Sequence, residues 1–529
     1  MNYESELPDT GRAEHTYKQL EVVREPVLRR ARAASQLTIP HLLPPEEHTS
    51  AEELYTPFQS VGAEGVNNIA SKLLLSLMQP GAPFFRINPS ADIQNELDEM
   101  PDNDPYRLEL EKALAQYERL VMQDIEDKGD RATIFEALKH IVVTGNALFY
   151  QDKDGSRVWP LDRFVVRRDA MGNLVEWVIH ESYDYDTLPD DVKASLPTTE
   201  PEPMASGGDT RDCDVYTHVY RKGKTFHQYQ EVKGVVVEGS KASWPEETLP
   251  YVPMRLLRVA GSSYGEGYVS QYFGDLSSLE ALNQAIVEGS TAMAKMLFLV
   301  KPNGFTNPRT LAEAPNGAIR EGNAEDVTVV QSQKTHDMAA VGQRADILER
   351  RLARVFLLDS VVARDAERVT AEEIRRMSQM LEDALGGVYT ALTQDFQLPY
   401  LNRRIALLQK SGTLPRLPKG VTRVTIVTGV QALGRGHDRE RLMNFAGTIA
   451  QVAPQALAQF VDVRVLIERL AVADGIDTMG LVKTAEVLQQ EQQQAMAQQM
   501  MAQVTPEAAK AVGGMAQEAA KAQMEQPQQ

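Results

Sequence analysis

Gly261-Ser262-Ser263-Tyr264-Gly265 fits G-x-S-x-G and lies between a predicted strand and a predicted helix. A nucleophile elbow needs that setting, because a tight turn there exposes the serine hydroxyl. His336 and His437 follow among many acids, so chain order permits a hydrolase triad on Ser263. Against it, Gly and Ser are ordinary turn residues, and the preceding chain lacks the alternating β-α units of a hydrolase sheet. The turn is the stronger reading. Gly223-Lys224-Thr225 ends like a phosphate-cradling loop, but His218 stands where that motif needs its first glycine. The segment also reads as a hairpin turn, which aims no row of amides at a phosphate. Gly265-Glu266-Gly267 lacks the third glycine of a dinucleotide loop. The hairpin can set His218 and His227 across from each other, with no third ligand nearby for zinc. Asp102-Asn103-Asp104 starts like a calcium loop, until Pro105 and a missing glycine end the match. No catalytic, cofactor or metal site is expected.

Composition narrows the classes further. At about 150 residues per domain, a chain of 529 residues suggests three to four domains. Charged residues make up 24% and hydrophobic ones 43%, which fits a globular chain and not an acidic disordered one. Fifty-five basic against 74 acidic residues give a net charge of −19. Such a chain does not coat itself onto DNA or anionic lipid by bulk charge. A single cysteine, Cys213, excludes an intrachain disulfide and a Cys-rich zinc module. The start, MNYESELPDT, carries acids where a signal peptide carries basic and then apolar residues. No run of eighteen apolar residues exists, so no membrane partner is expected. The expectation is a soluble, reduced, non-secreted protein.

Periodicity predicts helices over 63–78, 106–127 and 133–146, with a short strand at Phe84–Ile87 and an acidic loop at 96–104. From Ala147 the period drops to two. Hairpins are predicted at 164–180 and 214–232, a strand at 252–259, and an exposed loop at 197–212. The second half turns helical, over 276–300 and 339–358, around a Gly- and Pro-containing insert at 301–335. After a break near 361–368, Thr370 and Glu373 form a capping box opening a long helix. Gly386-Gly387 weaken its middle, Pro399 kinks it, and Gly412 ends its continuation. A strand at 421–427 and helices across 438–471 follow. Of the last 44 residues, 28 are Gln, Ala or Met, a low-complexity tail.

Several stretches together carry a resemblance. They are LTIPHLLPPE (37–46), YTPFQSVGAEGVNNIASKLLLSLMQP (55–80), TIFEALKHIVVTGNALFY (133–150), FVVRRDAMGN (164–173) and DVYTHVY (214–220). They continue through YVPMRLLRVAGSSYGEGYVSQYFGDLSSLEALNQAIV (251–287), ERVTAEEIRRMSQMLEDALGGVYTALTQDFQLPYL (367–401), TGVQALGRGHD (428–438) and GIDTMG (475–480). In this order the chain resembles the head-to-tail connector, or portal, proteins of short-tailed bacteriophages with double-stranded DNA. The tail and the 197–212 loop depart most from the pattern.

The resemblance implies an α+β portal fold and a ring of about twelve copies at one capsid vertex. Residues 1–260 then correspond to an α/β wing, 261–300 to the first stem helix region, 301–335 to the clip and 336–358 to the second stem helix. Residues 359–369 correspond to the tunnel loop, 370–430 to the long wing helix and strand, 431–485 to a helical crown, and 486–529 to the tail. Double-stranded DNA would pass without sequence specificity, past a tunnel loop carrying Arg364, Asp365, Glu367 and Arg368. The clip, around Pro302, Asn303, Gly304, Asn307 and Arg309, would dock the terminase motor and later the tail adaptor. Major capsid, scaffolding and internal core proteins are the other implied partners, and the virion is the implied location, after assembly in the host cytoplasm. A non-portal internal head or scaffold protein shares the acidic helical composition and is the remaining alternative beside the hydrolase.

Overall fold

Gly145 closes a helix and starts a strand, and much of the fold is hung on that corner. The computed structural model describes residues 12–46, 52–78, 83–90, 105–184, 212–294, 297–315, 317–330, 335–358, 387–416, 422–426 and 443–449, with isolated positions besides. The chain divides into two units, Met1–Leu433 and Gly434–Gln529. In the second, 443–449 is helical. The capping box, the acidic loop, nearly all of the 197–212 loop and the Gln/Ala/Met tail lie outside the described residues.

The first unit begins with the helices α1 (Arg12–Gln36), α2 (Val61–Leu77), α3 (Pro105–Asp127) and α4 (Asp130–Thr144). The spacing of Ile134, Ala137, Leu138, Ile141 and Val142 puts them on one α4 face, and all are fully buried. Their core also takes α2 through Val66, Ile69 and Leu73, and α3 through Val121 and Ile125. At the α4 C-terminus Gly145 has φ +79°, and its N–H donates to the Ile141 carbonyl at 2.9 Å. A Cβ there would lie 2.3 Å from the Glu266 carbonyl carbon, so both conformation and space require glycine.

Strand β1 (Phe85–Pro89) pairs antiparallel with Thr422–Ile426, joining two predicted strands from opposite ends of this unit. Strands β2 (Asn146–Gln151) and β3 (Ser156–Trp159) form a sheet with β10 (Tyr251–Arg255). The larger sheet runs β4 (Phe164–Arg168), β5 (Leu174–Asp184), β6 (Asp212–Lys222), β7 (Thr225–Val232) and β8 (Val235–Val236), with β9 (Ala242–Pro245) also on β7. Both predicted hairpins are present. The register corrects one expectation: His218 stands opposite Tyr229 and His227 opposite Tyr220, so the histidines do not face each other. His218 instead bonds Tyr229 Oη at 2.9 Å and Glu176 Oε2 at 3.1 Å.

Helix α1 was not expected from periodicity. Its inward row includes Thr16, Tyr17 and Arg24, and Pro26 sits inside it, so the apolar spacing is interrupted. It packs on the large sheet, with Ala13, Tyr17 and Leu20 against Val165, Val178 and Tyr216. Its first turn is capped from β7, where the buried Glu231 carboxylate accepts the Ala13 N–H at 3.0 Å. A carboxylate at a helix N-terminus satisfies orphan donors and meets the positive end of the dipole.

His140 on α4 is 3% exposed. Burial, with positive charge from His41 and Lys139, pulls its pKa from 6.5 down to about 4. The folded state therefore binds fewer protons than the unfolded chain between those values. The stability this group permits is whole above pH 6.5 and is lost as pH falls toward 4. Between pH 7 and 4.5 the loss from this residue is about 2–3 kcal/mol. Denaturant midpoints of wild type and His140→Gln at both pH values check this, and equal acid losses in the two would refute it.

Candidate stem and clip

The turn that fits G-x-S-x-G is a structural staple. Gly265 N–H donates to Asn146 Oδ1 at 2.7 Å, and Asn146 Nδ2 donates to the Gly265 carbonyl at 2.8 Å. Ser263 Oγ accepts the Arg168 N–H at 3.1 Å, and the buried Tyr264 hydroxyl accepts the Val166 N–H at 3.1 Å. Ser263 thus holds the edge of β4 and faces no described base. The His336 side chain and His437 lie outside the described residues. Gly223-Lys224 turns the β6–β7 hairpin and opens no helix. Among the described residues no group of three His, Cys, Asp or Glu is placed to hold a metal. Among them, too, no helix is long and apolar enough to cross a membrane.

The staple joins β11 (Leu257–Arg258) to β12 (Gly265–Glu266), and the chain passes on through α5 (Tyr268–Gln271) into α6 (Phe273–Ala294). The sequence reading carries this helix to Val300, and the structure ends it at Ala294. Leu297–Val300 is instead strand β13, paired residue for residue with β14 (Val327–Val330). A run of large apolar and β-branched residues is ambiguous between helix and strand, and here a partner thirty residues away decides. Helix α8 (Thr335–Val355) then returns beside α6, with the short helix α7 (Pro308–Ala312) in the insert between them.

The two long helices run antiparallel. Arg351 bonds Asp275 at 2.6 Å near one end, and toward the other a Cβ on Gly289 would lie 1.9 Å from Met338 Cε. Leu276 and Leu279 of α6 and Ala345, Leu348 and Leu352 of α8 are buried in the main core. The end of the pair nearer the insert carries less burial, with Val287 50% exposed.

At the other end of α8 the last carbonyls are covered by side chains. Asn68 Nδ2 donates to the Phe356 carbonyl at 2.8 Å, and Lys72 Nζ donates to the Leu357 carbonyl at 2.6 Å. Lys72 is 2% exposed, and burial pulls its pKa to about 8. Leu357 has φ +56°, an αL residue at the helix end where glycine is usual. Phe356 fills the space a Gly65 side chain would take, since a Cβ there would lie 2.3 Å from its Cγ. The clamp fixes the chain where it enters 359–369. Arg364, Asp365, Glu367 and Arg368 lie outside the described residues.

The residues expected to form a clip, by contrast, lie among the described residues, in the insert between α6 and α8. Pro302, Asn303, Asn307 and Arg309 are exposed. The Gly304 N–H donates to the Lys301 carbonyl at 3.1 Å, and a Cβ on Gly304 would meet the Asp326 carboxylate at 2.5 Å. Buried Thr306 ties the insert together, its Oγ accepting the Asn323 N–H at 2.9 Å and donating to the Asn323 carbonyl at 3.2 Å. Asn307 caps α7 by accepting the Arg309 N–H at 3.0 Å, with Pro308 next in the chain. Two apolar side chains of the insert that the sequence reading does not single out, Phe305 and Ile319, are each 98% exposed. Lone apolar residues in a loop carry no sequence signal, and only their exposure marks them.

Of the long helix expected after 370, the structure describes residues from 387 onward, as α9 (Val388–Leu392), a π turn (Thr393–Gln397) and α10 (Leu398–Ser411). The irregularity falls just before Pro399, whose missing N–H leaves the α ladder one donor short. Gly412, at φ +80°, ends the helix as expected. Strand β15 (Thr422–Ile426) follows.

Residues 10–482 match the family model for the bacteriophage head to tail connecting protein. The chain is 38% identical over 497 residues to the portal protein of Escherichia phage T7, covering 92% of this chain and 90% of that one. It is 38% identical over 512 residues to the portal protein of Enterobacteria phage T3, covering 95% and 93%. With the portal protein of Pseudomonas phage phiKMV it shares 32% identity, over 91% of this chain and 94% of that one. A neck chain of an empty gene transfer agent particle aligns at 15% identity and a TM-score of 0.32, over 74% of this chain and 86% of that one, and carries no weight. With its mixed helix and strand, its helix pair and its insert, the chain belongs to the portal, or head-to-tail connector, family of short-tailed bacteriophages.

Proposed function

We propose that about twelve copies of this chain close a ring at one capsid vertex, through which double-stranded DNA is packaged and later ejected. The observation that carries this reading is the near full-length match to portal proteins, joined to an antiparallel helix pair bearing a compact insert. A closed ring repeats one heterologous contact, so each subunit needs two different complementary surfaces. The charge balance suits a channel. DNA carries one negative charge per roughly 1.7 Å, and a basic wall would hold a duplex that must slide. Screening over about 8 Å leaves only wall residues near the duplex effective. A net-acidic wall with a few basic points guides without gripping.

Residues 364–368 line the narrowest part of this channel in our reading, with Arg364 and Arg368 alternating with Asp365 and Glu367. The support is position, directly after the clamped end of α8. Deleting 362–368 is expected to leave rings intact and to impair packaging or retention of DNA. Wild-type packaging and retention in that variant would remove the assignment.

The clip docks the terminase motor during packaging and the tail adaptor afterwards. Pro302, Asn303, Gly304, Asn307 and Arg309 form the framework, and Phe305 and Ile319 supply apolar anchors. A double substitution, Phe305→Asp with Ile319→Asp, is expected to keep the subunit's unfolding midpoint, because both side chains already face water. Binding of motor or adaptor should fall by roughly tenfold or more, as for a truncated interface anchor. Unchanged binding of both would move the docking surface elsewhere. The capsid shell, scaffolding and internal core proteins complete the partners, and the virion, after assembly in the host cytoplasm, is the place of action.

A further inference from the structure

Three guanidinium groups gather where β4, β10 and β11 end, with one carboxylate among them. Arg168 donates to the Gly172 carbonyl at 3.1 Å and to the Pro253 carbonyl at 2.9 Å. Arg258 reaches both oxygens of Asp395 at 2.7 Å. Arg255 is 6% exposed and takes no acceptor among the described residues, its Nε being buried without a partner. Asp169, the other acid beside the cluster, is turned into its own loop, accepting the Met171 N–H at 2.9 Å and the Asn173 N–H at 2.8 Å. The Arg255 guanidinium lies over Gly172, its Nη2 3.4 Å from where a Cβ there would stand. Burial and the neighbouring guanidiniums lower the pKa values of Arg168 and Arg255. A buried charge of this kind costs free energy unless it is paired.

We propose that Arg168, Arg255 and Arg258 form a receptor for a carboxylate side chain supplied by the neighbouring copy of this chain. This rests on the ring reading and names one of its contacts. The planar fork of a guanidinium matches a carboxylate bidentately, and the other two arginines reinforce the charge. With 74 acidic against 55 basic residues, a second copy offers carboxylates in excess. A guanidinium that is 6% exposed also favours a side chain over a DNA backbone, because a single Glu or Asp reaches a largely covered group more readily than a phosphate of a stiff duplex. In the lone subunit Arg255 takes no acceptor among the described residues, and closing the ring supplies one.

The test compares wild type with Arg255→Met across a concentration series, by light scattering for assembly and thermal unfolding for the subunit. The proposal predicts that the unassembled variant keeps or raises its unfolding midpoint, since an unpaired buried charge is removed. The protein concentration needed for half assembly should rise by roughly 30-fold or more. Assembly at the wild-type concentration overturns the proposal, as does a lowered midpoint with assembly unchanged. Variant rings that form normally but bind duplex DNA more weakly by fluorescence anisotropy would give the site to a phosphate backbone and overturn it. A midpoint raised by inorganic phosphate in wild type alone, with assembly equal in both, would make it a free-anion site and also overturn it. If wild type itself never closes a ring, the ring reading falls first and this contact falls with it.

Discussion

Replacing Arg24 with alanine costs the subunit about 3–5 kcal/mol, the loss typical of breaking a buried charged network. The guanidinium is 2% exposed and gathers the Tyr17 hydroxyl at 3.2 Å and the carbonyls of Leu161 at 3.2 Å, Asp162 at 2.7 Å and Phe164 at 3.0 Å. Its Nη2 reaches Glu21 at 3.1 Å. Removing it leaves buried carbonyls without donors, each worth about 1–3 kcal/mol, and opens a cavity under α1. Arg24→Lys recovers less than half, because one ammonium cannot span that set of acceptors. Denaturant unfolding followed at Trp177, in the sheet beneath α1, measures the effect. A loss under about 1 kcal/mol for Arg24→Ala would show that this guanidinium does not dock the helix.

Arg404→Met has a comparable effect in another part of the core. Arg404 and Asp130 are each 1% exposed, and the ion pair between them spans 3.1 Å, with Asp124 at 2.8 Å on the other side of the guanidinium. Asp130 also accepts hydrogen bonds from the Tyr400 hydroxyl at 2.7 Å and the Ser156 hydroxyl at 2.7 Å. Burial, with the Asp130 charge, raises the Tyr400 pKa well above its ordinary value, so that hydroxyl stays a donor. Taking away Arg404 strands a buried carboxylate, at a cost of about 3–5 kcal/mol. Adding Asp130→Asn to Arg404→Met should return part of it, because the stranded charge goes with the partner. A double variant no more stable than Arg404→Met alone would mean that the ion pair is not the source of the loss. The network ties α10 to the start of α4, so its failure would loosen the part of the fold that carries the chain away from 359–369.

Neither network was legible in the sequence, and the reason is the same for both. Arg24 and Asp130 lie 140 and 274 residues from Phe164 and Arg404 respectively, so no local pattern marks the pairs. What periodicity did mark was local: the inward face of α4, both hairpins of the large sheet, and the apolar rows of α6 and α8. Helix α1 escaped because a buried arginine and an internal proline interrupt its apolar row. Leu297–Val300 was misread as helix because its strand partner, Val327–Val330, lies on the far side of the insert. The clip assignment at 301–335 rests on resemblance and stays a proposal, whereas the exposure of Phe305 and Ile319 is visible only in the structure. For Ser263 the motif was real as a pattern, and the hydroxyl is occupied by the Arg168 amide.

Mass and shape of the assembled protein decide between a ring subunit and a hydrolase or a non-portal scaffold protein. Light scattering followed by single-particle electron microscopy, on protein assembled with its scaffold and on protein recovered from virions, reads both. About twelve copies of 58.8 kDa give roughly 0.7 MDa, and the particles should be closed rings with an axial hole. A monomer or dimer in both preparations, or a closed particle with no axial opening, would contradict the portal ring.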